Sequence, residues 1–302
     1  MTTYTWPEIL TASEKVNWSI DDVLGADHRF DFRRTFMPES FARTRELDFL
    51  DEKERLVLNQ IRGYGYLHTF GLVEEFILPF VVDHARADFS GDDHRTRALL
   101  NFAEEEAKHI HLFKRFRQRF QDDFGHSCEV IGPPEAIAAA VLAHDPLSVS
   151  LLILHIEWMT QRHYHDSIEN AQELDARFRS LLRHHWMEEA QHAKMDTLVV
   201  HKLAAGRDAG QLAAALDGYL QMGQFLDQGL AQQARFDLAT LQRVIGRKLD
   251  AAASERFLAV QHQALRWTFL GSGMTHPKFL ATLGELGGDL RGRIESIAAG
   301  FC

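Results

Sequence analysis

Apolar residues recur every three or four positions along most of this chain, and no convincing run alternates apolar with polar. That period is helical. A first long helix is predicted from about Phe49 to Phe89, ahead of the turn signal Ser90-Gly91-Asp92-Asp93. Gly63, Gly65 and Gly71 weaken its local propensity, and Pro79 is expected to kink it. A second is predicted from Asp93 to Phe124. Gly125 to Pro134 is the strongest break and reads as a long crossover between two halves. After a short Ala-rich helix, Asp145-Pro146 supplies a cap and a proline for the first turn of a third long helix, which runs to about Asn170. A fourth occupies Asp175 to Gly206, and further amphipathic segments fall near 210–233, 237–251, 254–270 and 277–299. The chain is therefore predicted all-α and a single domain over 1–302: an irregular N-terminal arm over 1–45, a main bundle over 46–206, and accessory helices over 207–302.

Amphipathicity does not explain the fourth helix. An α-helix turns about 100° per residue, so with His185 as origin Glu189 falls near about 40°, His192 near about −20° and Asp196 near about 20°. Four metal-competent side chains share one stripe, and a stripe that polar faces a dry core only if a charge meets it there. The rest of the chain supplies matching residues. EEAKH (Glu105–His109) on the second helix repeats as EEAQH (Glu188–His192) on the fourth, 83 residues later. The same shift relates Glu74 on the first helix to Glu157 on the third. One Glu followed by Glu-x-x-His, twice over, is the ligand plan of dinuclear iron or manganese carboxylate bundles. Phe102 and Phe113 share the face of Glu106 and His109, and Ile153 and Leu154 lie above Glu157, so these faces are core faces. Glu75 competes with Glu74 for the first position, but Glu74 matches the repeat and shares its face with Phe70, Ile77, Leu78 and Val81. Glu105 and Glu188, each just before a candidate ligand, are placed to hydrogen-bond imidazoles of the neighbouring helix pair. Asp196 either orients His192 or lies at the bundle end. His111 and His163 point about 140° and about 120° away from the candidate carboxylates and fail the geometric test.

Composition narrows the class. The 302 residues carry a formal net charge of −10, which disfavours nucleic acid as a partner. Two cysteines give neither a disulfide framework nor a thiolate zinc site and suit a reducing cytoplasm. The N-terminal stretch lacks the character of a signal peptide, and no run of 18 apolar residues is apparent, so no membrane span is expected. Carboxylate-rich N/O donors without thiolate suit iron, or manganese or a mixed pair, better than structural zinc.

Glu74, Glu106, His109, Glu157, Glu189 and His192 together resemble the ferritin-like dinuclear iron superfamily. His185-x-x-x-Glu189-x-x-His192, with the EEFI stretch after Val73 and its approach FLDEKERLVLNQIRGYGY, resembles the p-aminobenzoate N-oxygenase (AurF-like) family over roughly Phe49 to Val200. The resemblance implies a ferritin-like four-helix bundle, His185 as a seventh metal ligand, and an oxygenase that oxidises an amine nitrogen, commonly of an arylamine. His185 alternatively only hydrogen-bonds a carboxylate. The expected partners are a small-molecule substrate, dioxygen, an external electron donor and a second copy of the chain in a homodimer. A ferroxidase or iron-storage protein is the rival reading, as is another diiron hydroxylase.

Overall fold

A computed structural model describes residues 4–25, 29–87 and 89–302. Residues 1–3 and 26–28 of the predicted arm, and Asp88 at the predicted end of the first long helix, lie outside the described residues.

The arm is less irregular than expected. Among the described residues it holds three short α-helices, α1 (Trp6–Ser13), α2 (Ile20–Leu24) and α3 (Glu39–Ala42). Helices this short are marginal alone and persist by docking on the bundle. The side chain of Asn59 accepts the backbone N–H groups of Phe36 and Met37 and donates to the Met37 carbonyl. Phe36 then packs over Gly63, where a Cβ would stand 2.8 Å from the Phe36 Cβ. Only glycine permits that approach.

The long helices follow the predicted period. Asp51 opens α4 (Glu52–Arg86) with a reciprocal Asp51/Glu54 capping box, and the helix continues unbroken past Pro79. Asp92 caps α5 (Asp93–Phe124), which ends at Gly125 with φ 75°, the left-handed conformation that favours glycine. The crossover leads into α6 (Pro134–Leu142) and α7 (Pro146–His163), the latter extended by one π-helical turn, Tyr164–Ile168. Asp175 caps α8 (Ala176–Ala204) and also accepts the N–H of Asp31, fastening the arm. Beyond it lie α9 (Ala209–Ile245), α10 (Ala251–Arg266), a π turn at Trp267–Gly271, α11 (Ser272–Met274), α12 (Pro277–Leu286) and α13 (Leu290–Ala298).

Two predicted boundaries are corrected. The segments 210–233 and 237–251 are largely one helix, α9, ending at Ile245. The segment 277–299 divides at Gly287 and Gly288, whose φ values of 84° and 66° stop α12.

Helices α4 and α5 pack as one pair and α7 and α8 as another, while α9 lies against both α4 and α7. The pairs form an all-α four-helix bundle whose core draws buried side chains from all four helices. Helix α4 is long and apolar enough to cross a membrane by length and composition, although it holds no run of 18 apolar residues; 67% of its apolar window is buried inside the protein. Its hydropathy therefore belongs to the bundle core.

Candidate metal centre

Each long helix of the bundle turns one carboxylate or one Glu-x-x-His inward. Glu74 (α4), Glu106 and His109 (α5), Glu157 (α7), and His185, Glu189 and His192 (α8) are all buried. They form two adjoining groups, Glu74/His109/His185/Glu189 and Glu106/Glu157/Glu189/His192. Within each group one donor atom from every residue lies within 4.8 Å of the others, and Glu189 belongs to both. Glu75 does not join them: it is partly exposed and pairs with Lys114 at 3.3 Å.

Outside these groups, the two Glu-x-x-His helices are cross-linked. His109 Nε2–H on α5 donates to Glu188 Oε2 on α8 at 2.7 Å. His192 Nε2–H on α8 donates to Glu105 Oε2 on α5 at 2.7 Å. A carboxylate acceptor requires the proton on Nε2, so in the neutral form of each ring, the form that can ligate, the lone pair sits on Nδ1. Both Nδ1 atoms face inward: His109 Nδ1 lies 3.1 Å from Glu189 Oε1 and His192 Nδ1 lies 3.0 Å from Glu106 Oε1. His185 presents Nε2 instead, 3.0 Å from Glu74 Oε1 and 2.9 Å from Glu189 Oε1.

The backing of the two rings differs. Glu188 is also paired with Lys108, whose ammonium lies 4.3 Å over the Trp18 ring, and Trp18 lies parallel to His109 with ring centroids 6.0 Å apart. Glu105 takes neutral donors, Ser13 Oγ at 3.1 Å and Asn101 Nδ2 at 3.1 Å. Burial opposes charge on Glu188, but contacts with His109 and Lys108 outweigh it and hold its carboxyl below the usual value. Ser13 and Trp18 carried no sequence signal for this role, because the arm meets the bundle through contacts about ninety residues apart in the chain, and Asn101 and Lys108 on α5 were not singled out either.

Asp196 is buried but hydrogen-bonds neither nitrogen of His192, both of which are engaged elsewhere, and its Oδ2 has no hydrogen-bond partner. Burial holds that carboxyl well above the usual range. His111 is exposed. His163 bridges Tyr66 Oη at 2.9 Å and Ser272 Oγ at 2.9 Å, away from the carboxylates.

Charge decides what the centre is built for. Burial, then the neighbouring carboxylate, pushes the carboxyls of Glu74 and Glu157 well above their ordinary range. Glu74 Oε2, both Glu106 oxygens, Glu157 Oε2, Glu189 Oε1 and His109 Nδ1 make no hydrogen bond. Buried acceptors left open cost several kcal/mol (about 1–3 each) unless something cationic meets them. Four carboxylates and three neutral imidazoles balance two divalent ions without residual charge. The residues present therefore fit a dimetal site of N/O donors.

No protein-family model matches the chain, and no curated protein matches it. Among solved structures it is similar to variants of the R2-like ligand-binding oxidase. One with an aerobically reconstituted Fe/Fe cofactor shares 13% identity over 86% of this chain and 91% of that one, with a TM-score of 0.43. Another with an aerobically reconstituted Mn/Fe cofactor shares 12% over 86% and 93%, with a TM-score of 0.45. Likeness at that level says nothing about the reaction, and the chemistry rests on the residues themselves.

Proposed function

We propose that the chain is a dinuclear iron oxygenase that uses dioxygen and an external electron donor to oxidise a small organic substrate, by N-oxygenation of an amine of the arylamine type. The observation that carries this reading is the pair of four-donor groups sharing Glu189, with their inward acceptors unpaired and two imidazole tautomers set from outside. Glu74, His109 and His185 would hold one ion, Glu106, Glu157 and His192 the other, and Glu189 both. A redox-active pair bound there supplies electrons for the reduction of dioxygen. The amine as oxidised group is supported by the resemblance of His185-x-x-x-Glu189-x-x-His192 to the AurF-like family.

The protein's own share is positioning and exclusion of water. Glu105 and Glu188 keep the ring protons on Nε2 and leave Nδ1 free to ligate. Phe102 stacks on His192 with centroids 3.8 Å apart, and the edges of Phe70 and Phe113 meet His185 at 5.2 and 5.1 Å, so apolar rings surround the donors.

The test is metal analysis of the loaded protein, followed by mixing of its reduced form with dioxygen under absorption spectroscopy and an amine panel read by mass spectrometry. The expected results are about two ions per chain, an oxygen-dependent spectral change and hydroxylamine, nitroso or nitro products. Uptake of many irons per chain would replace this reading with storage. Absence of both a spectral change and amine oxidation would refute it.

A further inference from the structure

An apolar cavity of about 390 Å³ lies beside α4 and α7, between these helices, α6, α9 and the crossover. It shares two helices with the carboxylate centre and touches them at neighbouring positions. Val73 and Ile156 line it, and each immediately precedes a candidate ligand, Glu74 and Glu157. One residue is about 100° of helix, so each helix shows its carboxylate to the bundle interior and its neighbouring side chain to the cavity. Leu152 and Phe76 continue that wall, and Met222 and Leu226 face them from α9.

The crossover wall is fastened. His68 Nε2–H donates to the Ile131 carbonyl at 2.6 Å, and Gln233 Oε1 accepts the Ile131 N–H at 3.1 Å. Arg117 donates to His68 Nδ1 at 2.7 Å, which fixes the tautomer of that ring. Ile131 and Gly132 therefore bound a preformed space rather than a collapsible loop. The volume falls in the range of small-molecule sites, about 300–1,000 Å³. Among the described residues no Asp, Glu, Lys, Arg or His lines it. Its polar side chains are Thr69, Gln228 and Gln232; the two glutamines are exposed, beside Phe225, itself 48% exposed. An anion placed there finds no counter-charge, and desolvating it unpaired costs several kcal/mol.

We propose that this cavity holds the amine substrate, and that the substrate is a neutral, mainly apolar amine without a carboxylate or other fixed anion. An alkyl-substituted aniline fits these walls where an aminobenzoate does not. The word substrate rests on the oxygenase reading above; the preference for a neutral apolar molecule rests on the cavity alone.

The experiment uses the full chain, metal-free and Mn(II)-loaded, titrated calorimetrically with 4-butylaniline and with 4-aminobenzoate. Butylaniline should bind at least about 100-fold more tightly, since a few kcal/mol of unpaired-charge desolvation is worth that ratio. Ile137→Trp fills the cavity from the short helix α6 and should weaken butylaniline binding at least tenfold. Leu226→Arg places a cation in the wall and should raise aminobenzoate affinity at least tenfold; circular dichroism checks that both variants fold. In the Mn(II)-loaded protein the ring protons of bound butylaniline should broaden, and Ile137→Trp should abolish the broadening. Equal affinity for the two compounds, or no effect of either substitution, overturns the cavity's preference. Tight binding without broadening overturns its assignment as the substrate site and leaves the oxygenase reading standing. Binding with broadening, but no oxidation of any neutral amine by the iron-loaded protein, overturns the oxygenase reading and leaves the cavity's preference intact.

Discussion

Replacing Glu188 by Gln tests the cross-linked backing of the two imidazoles. Glutamine keeps an acceptor for His109 Nε2–H, now 2.7 Å from the carboxylate, but removes the charge. A hydrogen bond to a charged group contributes about 1.5–3 kcal/mol and a neutral one about 0.5–1.5 kcal/mol, so the change removes about 1–1.5 kcal/mol of support for the tautomer that leaves Nδ1 free. That alone is worth roughly tenfold in metal affinity, and loss of such outer partners typically costs about 10–100-fold. The loss should fall on the Glu74/His109/His185/Glu189 group, with the other binding step nearly unchanged. Glu105→Gln should do the reverse through His192, its carboxylate 2.7 Å away. Stepwise affinities come from competition with a chromophoric chelator. Combining each substitution with His185→Ala tells the groups apart: Glu188→Gln with His185→Ala should leave one tight ion, whereas Glu105→Gln with His185→Ala should weaken both. Equal loss of both ions in Glu188→Gln, or no loss, would refute the reasoning.

Three further outcomes are expected. His185→Ala should retain the helical circular dichroism spectrum while losing one ion or at least about tenfold of its affinity; full iron occupancy with an unchanged reaction toward dioxygen would remove His185 from the ligand set. His155 is buried against Tyr219 Oη at 2.6 Å, and burial lowers its pKa from 6.5 to about 4. Between those values the unfolded chain binds the extra proton, so this contribution is complete above pH 6.5, falls as pH drops through it, and levels off below about 4, a loss of about 3 kcal/mol. Urea unfolding across that window should be flatter for His155→Gln by this amount, and identical slopes would count against it. Arg62 and Asp237 form an ion pair at 3.4 Å with side chains only 4% and 2% exposed. Arg62→Met alone should cost about 3–5 kcal/mol in urea unfolding, while Arg62→Met with Asp237→Leu should recover most of it; a single variant within about 1 kcal/mol of the parent would contradict the pair's burial.

The sequence shows what periodicity and local chemistry encode and hides what depends on distant contacts. Helices α4, α5, α7 and α8 were legible because their apolar period is local, and Asp145 could be read as a cap because it accepts the N–H of Leu147 two residues on; Asp51, Asp92 and Asp175 cap in the same way. Six of the seven inward residues were legible because a repeat of Glu and Glu-x-x-His survives in the chain as a spacing, and His185 because it lies one helical turn before Glu189. The length of α9 was not. Its apolar pattern lapses around Gln233 and Asp237, and those polar residues are buried because Gln233 bonds Asp237 at 2.8 Å and Arg62 of α4 meets Asp237. A buried polar network reads in sequence as a loop. The arm's Ser13 and Trp18 reach the centre only through folding, and the apolar cavity takes its walls from several segments with no common motif.

The 83-residue repeat matters most where it fails. Glu105 corresponds to Glu188, Glu106 to Glu189 and His109 to His192, but Phe102 stands opposite His185 and Lys108 opposite Gln191. Both departures act in the same direction. His185 gives the Glu74 group a second imidazole in place of the second unshared carboxylate, Glu157, that the other group has. Phe102 stacks on His192 and contributes no donor. Lys108 neutralises the carboxylate behind His109, whereas Ser13 and Asn101 leave the charge behind His192 in place. The Glu106/Glu157/His192 side therefore carries more negative charge both at the donors and behind them. Of two bound cations, the more highly charged is favoured on that side. A repeated plan thus makes a centre with two unlike ends, and Val73 and Ile156, which line the uncharged cavity, each precede a carboxylate of one end.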